Sequence, residues 1–122
     1  MTSDLLDLEH FLPYRLSVLS NRISQDIASL YAERFNLGIT EWRIIAILGR
    51  YPDLSANEVA ERTAMDKVAV SRAVASLLKQ KRLKRKFDKN DLRRSVLSLS
   101  AAGEKIYAQV APLARQLQNA LL

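Results

Sequence analysis

Basic side chains are concentrated in one part of this 122-residue chain. Residues 67–94 hold eleven of the nineteen lysines and arginines but only two acids, whereas residues 1–66 hold six arginines and ten acids. The net charge of +6 therefore comes from a basic segment set in a mildly acidic protein. This arrangement is expected where one surface binds a polyanion. The alternative interpretation is a charged face that contacts only water.

The composition offers little for catalysis. The chain has one histidine and no cysteine, which excludes a disulfide framework, a thiolate zinc site and a thiol redox switch. No glycine-rich phosphate loop or metal-spaced cluster is present, so the sequence predicts a protein that is not an enzyme and needs no cofactor or metal. Acids in the first nine residues and the lack of a long apolar stretch predict neither a signal peptide nor a membrane span. We therefore expect a cytoplasmic protein.

Helical signals dominate the first third of the chain. Apolar residues spaced by three or four predict an amphipathic helix over residues 11–35, with Pro13 in its first turn. The Asn-Leu-Gly sequence at 36–38 is a stop signal. Thr40 is then expected to cap a second helix over residues 41–50.

Two short helices follow in close succession. Ser55 with Glu58 three residues later predicts a capping box that opens a helix ending near residue 62. After a three-residue turn, Asp66 is expected to cap a basic helix over residues 67–81. The buried stripe of that helix is expected to contain Val70, Val74, Leu77 and Leu78. Two helices joined by such a turn are typical of a helix-turn-helix motif.

The spacing of the apolar residues then changes from the helical period to the alternation that is typical of β-strands. Alternating residues at 83–87 and 95–100 predict two strands, joined by a polar, basic tip at 88–94. Ser100 is expected to cap a last helix, and Pro112 inside that helix should kink or break it.

These segments together resemble the MarR family of bacterial transcription regulators. The resemblance rests on residues 54–60, 66–72 and 88–103, and covers nearly the whole chain. Its most specific part is the wing, where an Asp-x-x-Asp-x-Arg tip precedes an apolar strand and a Leu-Ser-x-x-Gly helix start.

The family resemblance implies a single domain over residues 1–122 that is mainly α-helical with a small β wing. A winged helix-turn-helix over residues 40–100 would be flanked by dimerisation helices at 1–36 and 103–122. The implied function is a homodimeric, ligand-responsive repressor of transcription that binds a pseudo-palindromic double-stranded DNA operator at the bacterial nucleoid. A winged-helix protein–protein module without sequence-specific DNA binding is the alternative, and it would not need the basic segment. Structured RNA is a further possibility, but the basic face lacks aromatics that stack on unpaired bases.

The basic helix supplies the candidate DNA contacts. Arg72 is the first candidate for a base contact because its planar fork matches O6 and N7 of guanine, although a phosphate or solvent contact is the alternative. Lys67 and Lys79, near the two helix ends, are predicted to bind phosphates. Three small residues complete the predicted DNA-facing set, namely Ala69, Ser71 and Ser76.

The wing supplies the second set of candidate contacts. Its predicted DNA-binding residues are Lys86, Lys89, Arg93 and Arg94. The resemblance implies another role for Arg93, a salt bridge with Asp66 that braces the wing, and the two roles are equally compatible with the sequence. About half of the four basic residues between helix and wing are also expected to bind phosphates, and the rest to complement the negative end of the helix. These four are Lys81, Arg82, Lys84 and Arg85.

The chain departs from the family pattern at two places. The turn at residues 63–65 lacks the usual glycine, so a left-handed residue there would cost about 1–2 kcal/mol. Family members usually end with two helices that interlock with the partner subunit, whereas this sequence stops in an apolar run. Exposed apolar ends are costly, which favours burial against a second subunit over packing within one chain. The predicted dimer interface contains Leu5, Leu8, Leu12, Leu113, Leu117, Leu121 and Leu122.

The resemblance also implies a small aromatic or carboxylate effector between the dimerisation helices and the DNA-binding lobe. The candidate pocket residues are His10, Tyr14, Arg15, Trp42 and Arg43. Each has a structural alternative. Trp42 suits the core, the two arginines suit the surface, and the histidine suits a polar cap or an interface.

Overall fold

Five helices and one two-stranded hairpin make up the architecture, as seen in a computed structural model that describes residues 5–87, 90 and 95–121. The elements are a 3-10 turn at Leu8–His10, α1 at Leu12–Phe35, α2 at Ile39–Arg50, α3 at Ala56–Thr63, α4 at Lys67–Lys79, β1 at Leu83–Phe87, β2 at Ser95–Leu99, and α5 at Ala101–Leu121. The predicted fold class, mainly α with a small β wing, is confirmed.

The core lies where α2, α3, α4 and the hairpin meet. Ile44, Ile45 and Leu48 from α2 are fully buried, and they pack in one cluster with Val59 of α3 and Leu77 of α4. Burial of each large aliphatic side chain stabilises the fold by about 1.5–3 kcal/mol. The core thus fixes the helix-turn-helix against α2 and against the base of the wing.

The apolar stripe of α1 divides into two halves. Ile23 and Leu30, in the second half, pack against the core. Leu12, Leu16 and Leu19, in the first half, have more than half of their surface exposed. The stripe predicted from the sequence therefore serves the chain's own core only at its C-terminal end.

The start of α2 differs from the prediction. The helix begins at Ile39, with Gly38 rather than Thr40 at the N-cap position. The Gly38 N–H donates to Oε1 of Glu41 at 3.1 Å, so the glutamate satisfies a donor that would otherwise lack a helical partner. The capping signal was thus the glutamate and not the threonine.

The start of α5 is packed tightly against the end of the basic segment. Ser100 Oγ accepts from the Gly103 N–H at 3.1 Å and donates to the Lys81 carbonyl at 2.7 Å, which confirms the predicted cap. A Cβ atom at Gly103 would overlap the carbonyl oxygen of Arg82. Glycine at position 103 is therefore the residue that allows this close approach.

Pro112 does not break α5, which continues to Leu121.

The hairpin has a defined register. Leu83 pairs with Leu99, and Arg85 pairs with Leu97, in antiparallel orientation. Leu54, just before α3, extends the sheet by an isolated bridge, because the Leu97 N–H donates to its carbonyl at 2.7 Å. The wing base is thereby anchored to the start of the helix-turn-helix.

Candidate nucleic-acid interface

The helix-turn-helix is built by the capping signals predicted from the sequence. The Glu58 N–H donates to Ser55 Oγ, and the Ser55 N–H donates to the Glu58 carboxylate, both at 3.1 Å. Ala64 ends α3 with a φ of 53°, a left-handed conformation that costs a non-glycine residue about 1–2 kcal/mol. Asp66 then caps α4 by accepting from the Ala69 N–H at 3.0 Å.

The two faces of α4 differ sharply in burial. One face is inserted into the core through Val70, Ala73, Val74 and Leu77. The other exposes Lys67, Val68, Ser71, Arg72, Ala75 and Lys79. None of the three basic residues on this face forms an ion pair with a carboxylate in the part of the chain that the structure describes. Their positive charge is therefore free to attract an external anion.

Ser76 was predicted to face DNA, and the structure gives it an internal contact. Its hydroxyl is half-buried and donates to Oε2 of Glu41 at 3.2 Å. Gln80 donates to the same oxygen at 3.5 Å. Since the other oxygen of Glu41 caps α2, this one carboxylate joins the start of α2 to the second half of α4.

A groove of about 380 Å³ runs beside the exposed face of α4. It is lined on one side by the start of α2 at residues 38–41, and on the other by Ala69, Arg72, Ala73 and Ser76. The Glu41 carboxylate lines this groove and already caps the start of α2. Arg72 is thus the cation of the lining that suits a phosphate.

The basic residues of β1 lie on the two opposite faces of the strand. Successive side chains of a strand point to opposite faces, so Arg85 shares a face with the buried Leu83, whereas Lys84 and Lys86 share the other. Lys86 lines a cavity with Asp53 and is not on the same face as Arg85. The predicted wing residues Lys89, Arg93 and Arg94 lie outside the described residues, as does the Arg93 partner of the brace predicted for Asp66.

Arg82 has a structural role that the sequence did not indicate. It is half-buried, and its guanidinium donates to the Phe35 carbonyl at the end of α1 at 2.6 Å. Lys81 beside it adopts a left-handed φ of 60° and is exposed. Of the four basic residues between helix and wing, Arg82 is therefore the one whose guanidinium forms a hydrogen bond within the protein.

The structure separates the five candidate pocket residues into different surroundings. Tyr14 and Arg15 line a groove of about 620 Å³ along α1, and that groove does not include the other three. Arg43 donates to Ser24 Oγ at 3.0 Å, and Trp42 packs partly buried against the core. His10 forms a surface hydrogen bond with Asp7 at 2.7 Å.

The predicted interface leucines fall into two groups. Leu5, Leu8 and Leu12 are exposed, at 74%, 48% and 63% respectively, whereas Leu113 packs partly buried on the chain's own core. The side chains of Leu117 and Leu121 and the whole of Leu122 lie outside what the structure describes. The same N-terminal region exposes further apolar residues that were not in the predicted set, namely Leu6, Phe11, Tyr14, Leu16 and Leu19.

No cluster of three or more histidine, cysteine or acidic side chains that could hold a metal occurs among the described residues. Within the same ranges, no helix is both long and apolar enough to cross a bilayer.

Comparison with known proteins decides the family. The family model described as MarR family matches residues 35–94, which include α2, α3, α4 and β1. A MarR/EmrR family transcriptional regulator from Acinetobacter sp. ADP1 superposes with a TM-score of 0.87 at 26% identity, covering 96% of this chain and 82% of that one. The chain belongs to the MarR family. It is accordingly a DNA-binding transcriptional regulator and not an enzyme, as the sequence predicted.

Further solved MarR structures share the fold. A MarR family transcriptional regulator from Silicibacter pomeroyi has a TM-score of 0.83 at 25% identity, covering 93% of this chain and 76% of that one. S. aureus MepR in complex with DNA has a TM-score of 0.80 at 20% identity, covering 91% of this chain and 82% of that one. No curated protein matches the chain significantly.

Proposed function

We propose that this MarR-family protein is a homodimeric repressor that binds a pseudo-palindromic operator through α4. The observation that carries the proposal is the exposed face of α4, which presents Lys67, Arg72 and Lys79 from a helix fixed by its buried face. Within the described ranges of the chain, none of the three has an acidic partner. S. aureus MepR, which shares the fold, has been solved in complex with DNA, and this supports DNA as the partner. A repressor would act by occupying DNA that polymerase needs.

The dimer is supported by the exposed apolar surface of the N-terminal region. Leu5, Leu8, Leu12, Leu16 and Leu19 expose about half or more of their surface in the single chain. Leu12, Leu16 and Leu19 line one groove, and a large exposed apolar patch is a mark of an interaction site. A twofold axis would place the same patch of two subunits together and present two copies of α4 on one side.

The wing is proposed to contact DNA beside α4. We assign this role to Lys89, Arg93 and Arg94 at the tip, and to Lys86 only if its side chain leaves the face that it shares with Lys84. The brace between Asp66 and Arg93 is part of the same proposal. We also propose that residues 40–100 form the winged helix-turn-helix and that the helices on either side of it form the dimer. The protein is proposed to act at the nucleoid in the cytoplasm.

A small aromatic or carboxylate effector is proposed to bind beside α1. The groove lined by Tyr14 and Arg15 offers an aromatic ring and a cation, which suit such a molecule. Because the residues of this groove lie next to the exposed leucines, a second subunit would complete its walls.

The test of DNA binding begins with selection of sites from random duplexes. We expect a palindrome whose half-sites lie about one helical turn apart. Affinity for the selected duplex should then fall with salt, with a log–log slope of about −0.9 for each phosphate contact. Binding that is absent, or that does not respond to salt, would contradict the proposal.

Substitutions in α4 separate base contacts from phosphate contacts. Arg72→Ala should relax the preference at one position in each half-site, at a cost of about 1–3 kcal/mol on the preferred base. Lys79→Ala should weaken all duplexes alike and reduce the salt slope by about 0.9. Both are measured by fluorescence anisotropy on duplexes that differ at single positions.

Lys105→Ala is the matched control, because this lysine is exposed on α5 and away from α4. It should leave affinity and sequence preference unchanged. If Arg72→Ala and Lys79→Ala both lose affinity uniformly across duplexes, the division of roles is wrong.

A further inference from the structure

A polar cavity of about 420 Å³ lies at the base of the wing, bounded by the hairpin, the end of α2 and the start of α5. Two lysines and two acids contribute to its lining, namely Lys84, Lys86, Asp53 and Glu104. None of these four side chains forms an ion pair with another. Its size lies within the range of small-ligand pockets, about 300–1,000 Å³.

The cavity is on the opposite face of the wing from Arg85. Lys84 and Lys86 alternate with Arg85 along β1, and Lys84 pairs directly with Ser98 on β2. Side chains at paired positions lie on the same face of a sheet. The cavity therefore uses a different set of wing residues from the face that carries Arg85 and the buried Leu83.

Ser98 provides an independent indication of a ligand. Its side chain lines the cavity, its residue is only 6% exposed, and its hydroxyl has no hydrogen-bond partner among the residues that the structure describes. A buried hydroxyl normally has a partner, since leaving it unpaired is costly. The Ser98 hydroxyl lies in the same cavity lining as Lys84 and Lys86 and can bond to a ligand there.

The walls of the cavity are fixed by close packing. A Cβ atom at Gly49 would overlap the ring of Tyr107, so α2 and α5 meet directly at this point. The Asp53 N–H donates to the Leu97 carbonyl at 3.1 Å, which ties the turn after α2 to β2. The charged groups are thus carried by elements that hold one another in place.

We propose that this cavity binds a free α-amino acid. Lys84, Lys86 and the Ser98 hydroxyl would hold its carboxylate, and Asp53 and Glu104 would hold its ammonium group. Lys84, Lys86, Asp53 and Glu104 are exposed and are solvated in the free protein. A ligand that carries one charge is attracted by one pair of these side chains and repelled by the other. A zwitterion pairs both sets of charges, and it would join the wing to α5.

The proposal goes beyond DNA binding and does not depend on it, so the experiment uses the DNA-free protein. ¹⁵N-labelled protein is titrated with each of the standard L-amino acids to about 10 mM, and with acetate and methylammonium as separate halves of the ligand. We expect at least one amino acid to shift amide resonances of the cavity residues saturably. Neither half-ligand should do so at the same concentration.

Two results would overturn the proposal. One is the absence of saturable shifts at the cavity with any amino acid. The other is an equal response to acetate, which would make the cavity a simple anion site.

Variants test each half of the site. Lys84→Met and Glu104→Gln should each weaken amino-acid binding about tenfold or more, whereas the exposed controls Lys105→Met and Glu61→Gln should not change it. Ser98→Ala should weaken binding and at the same time raise the Tm of the free protein, because it removes an unpaired buried hydroxyl. Unchanged binding in Glu104→Gln, or a lowered Tm in Ser98→Ala, would count against the assigned roles.

Discussion

Replacing Leu16 and Leu19 together by glutamate is expected to convert the proposed dimer to a monomer and to weaken binding to a two-half-site duplex about 100-fold or more. Both leucines are more than half exposed on the first half of α1. Burying each of them at a subunit interface would contribute about 1.5–3 kcal/mol, and twofold symmetry counts each one twice. A carboxylate at the same place would lose solvation without gaining a partner.

The matched control is Ser17→Glu with Ser20→Glu. These serines are exposed on the same helix, beside the leucine stripe, so the control adds the same charge without removing apolar area. Subunit mass by analytical ultracentrifugation and affinity by anisotropy should both stay near wild type in the control. A glutamate variant that remained dimeric, or that kept full affinity for the long duplex, would refute the assignment of this surface.

Gly103→Ala is expected to lower the free energy of unfolding by about 1–3 kcal/mol. The new Cβ would overlap the Arg82 carbonyl oxygen, which also accepts a hydrogen bond from the Ser100 N–H at 3.1 Å. Overpacking against backbone costs about 1–3 kcal/mol, and losing that hydrogen bond about 1 kcal/mol more. Alanine's better helix propensity returns about 1 kcal/mol at most.

Urea unfolding at one fixed protein concentration measures this loss, because dimer stability depends on concentration. Ala102→Gly is the neighbouring control, since Ala102 is exposed in the same turn. It should cost about 1 kcal/mol or less. Equal stability of Gly103→Ala and wild type would show that the turn can move away from Arg82.

Features set by neighbouring residues were predictable from the sequence. The caps formed by Ser55 and Asp66 each involve a partner three residues away. Periodicity also placed the buried face of α4 correctly. Local hydrogen bonding and side-chain period are properties that one segment carries by itself.

Features that need distant partners were not predictable. Ser76 bonds to Glu41, which is 35 residues away, and Arg82 bonds to Phe35, which is 47 residues away. A helical wheel gives the direction of a side chain but does not reveal which other element occupies that direction. Both residues were therefore counted as candidates for DNA, although the fold uses them internally.

The α1 stripe shows a related limit of sequence patterns. Period alone marks Leu12, Leu16, Leu19, Ile23 and Leu30 as one apolar face. The structure packs only the last two on the chain's own core. Which part of a stripe is covered depends on how far the rest of the chain reaches along the helix, and this length is fixed by tertiary packing.

The hydrogen bonds of the Glu41 carboxylate limit how the protein can adapt to the spacing between two half-sites in DNA. Because the carboxylate is bonded to Gly38 at the start of α2 and to Ser76 and Gln80 of α4, α4 cannot turn about its own axis without breaking these bonds. In the proposed dimer, a change in the separation of the two copies of α4 must then come from α1 and α5. One added base pair between half-sites requires one copy of α4 to rotate by about 34° and to shift by about 3.4 Å relative to the other. In the proposed dimer, this movement takes place at the subunit junction rather than within the helices that contact the bases.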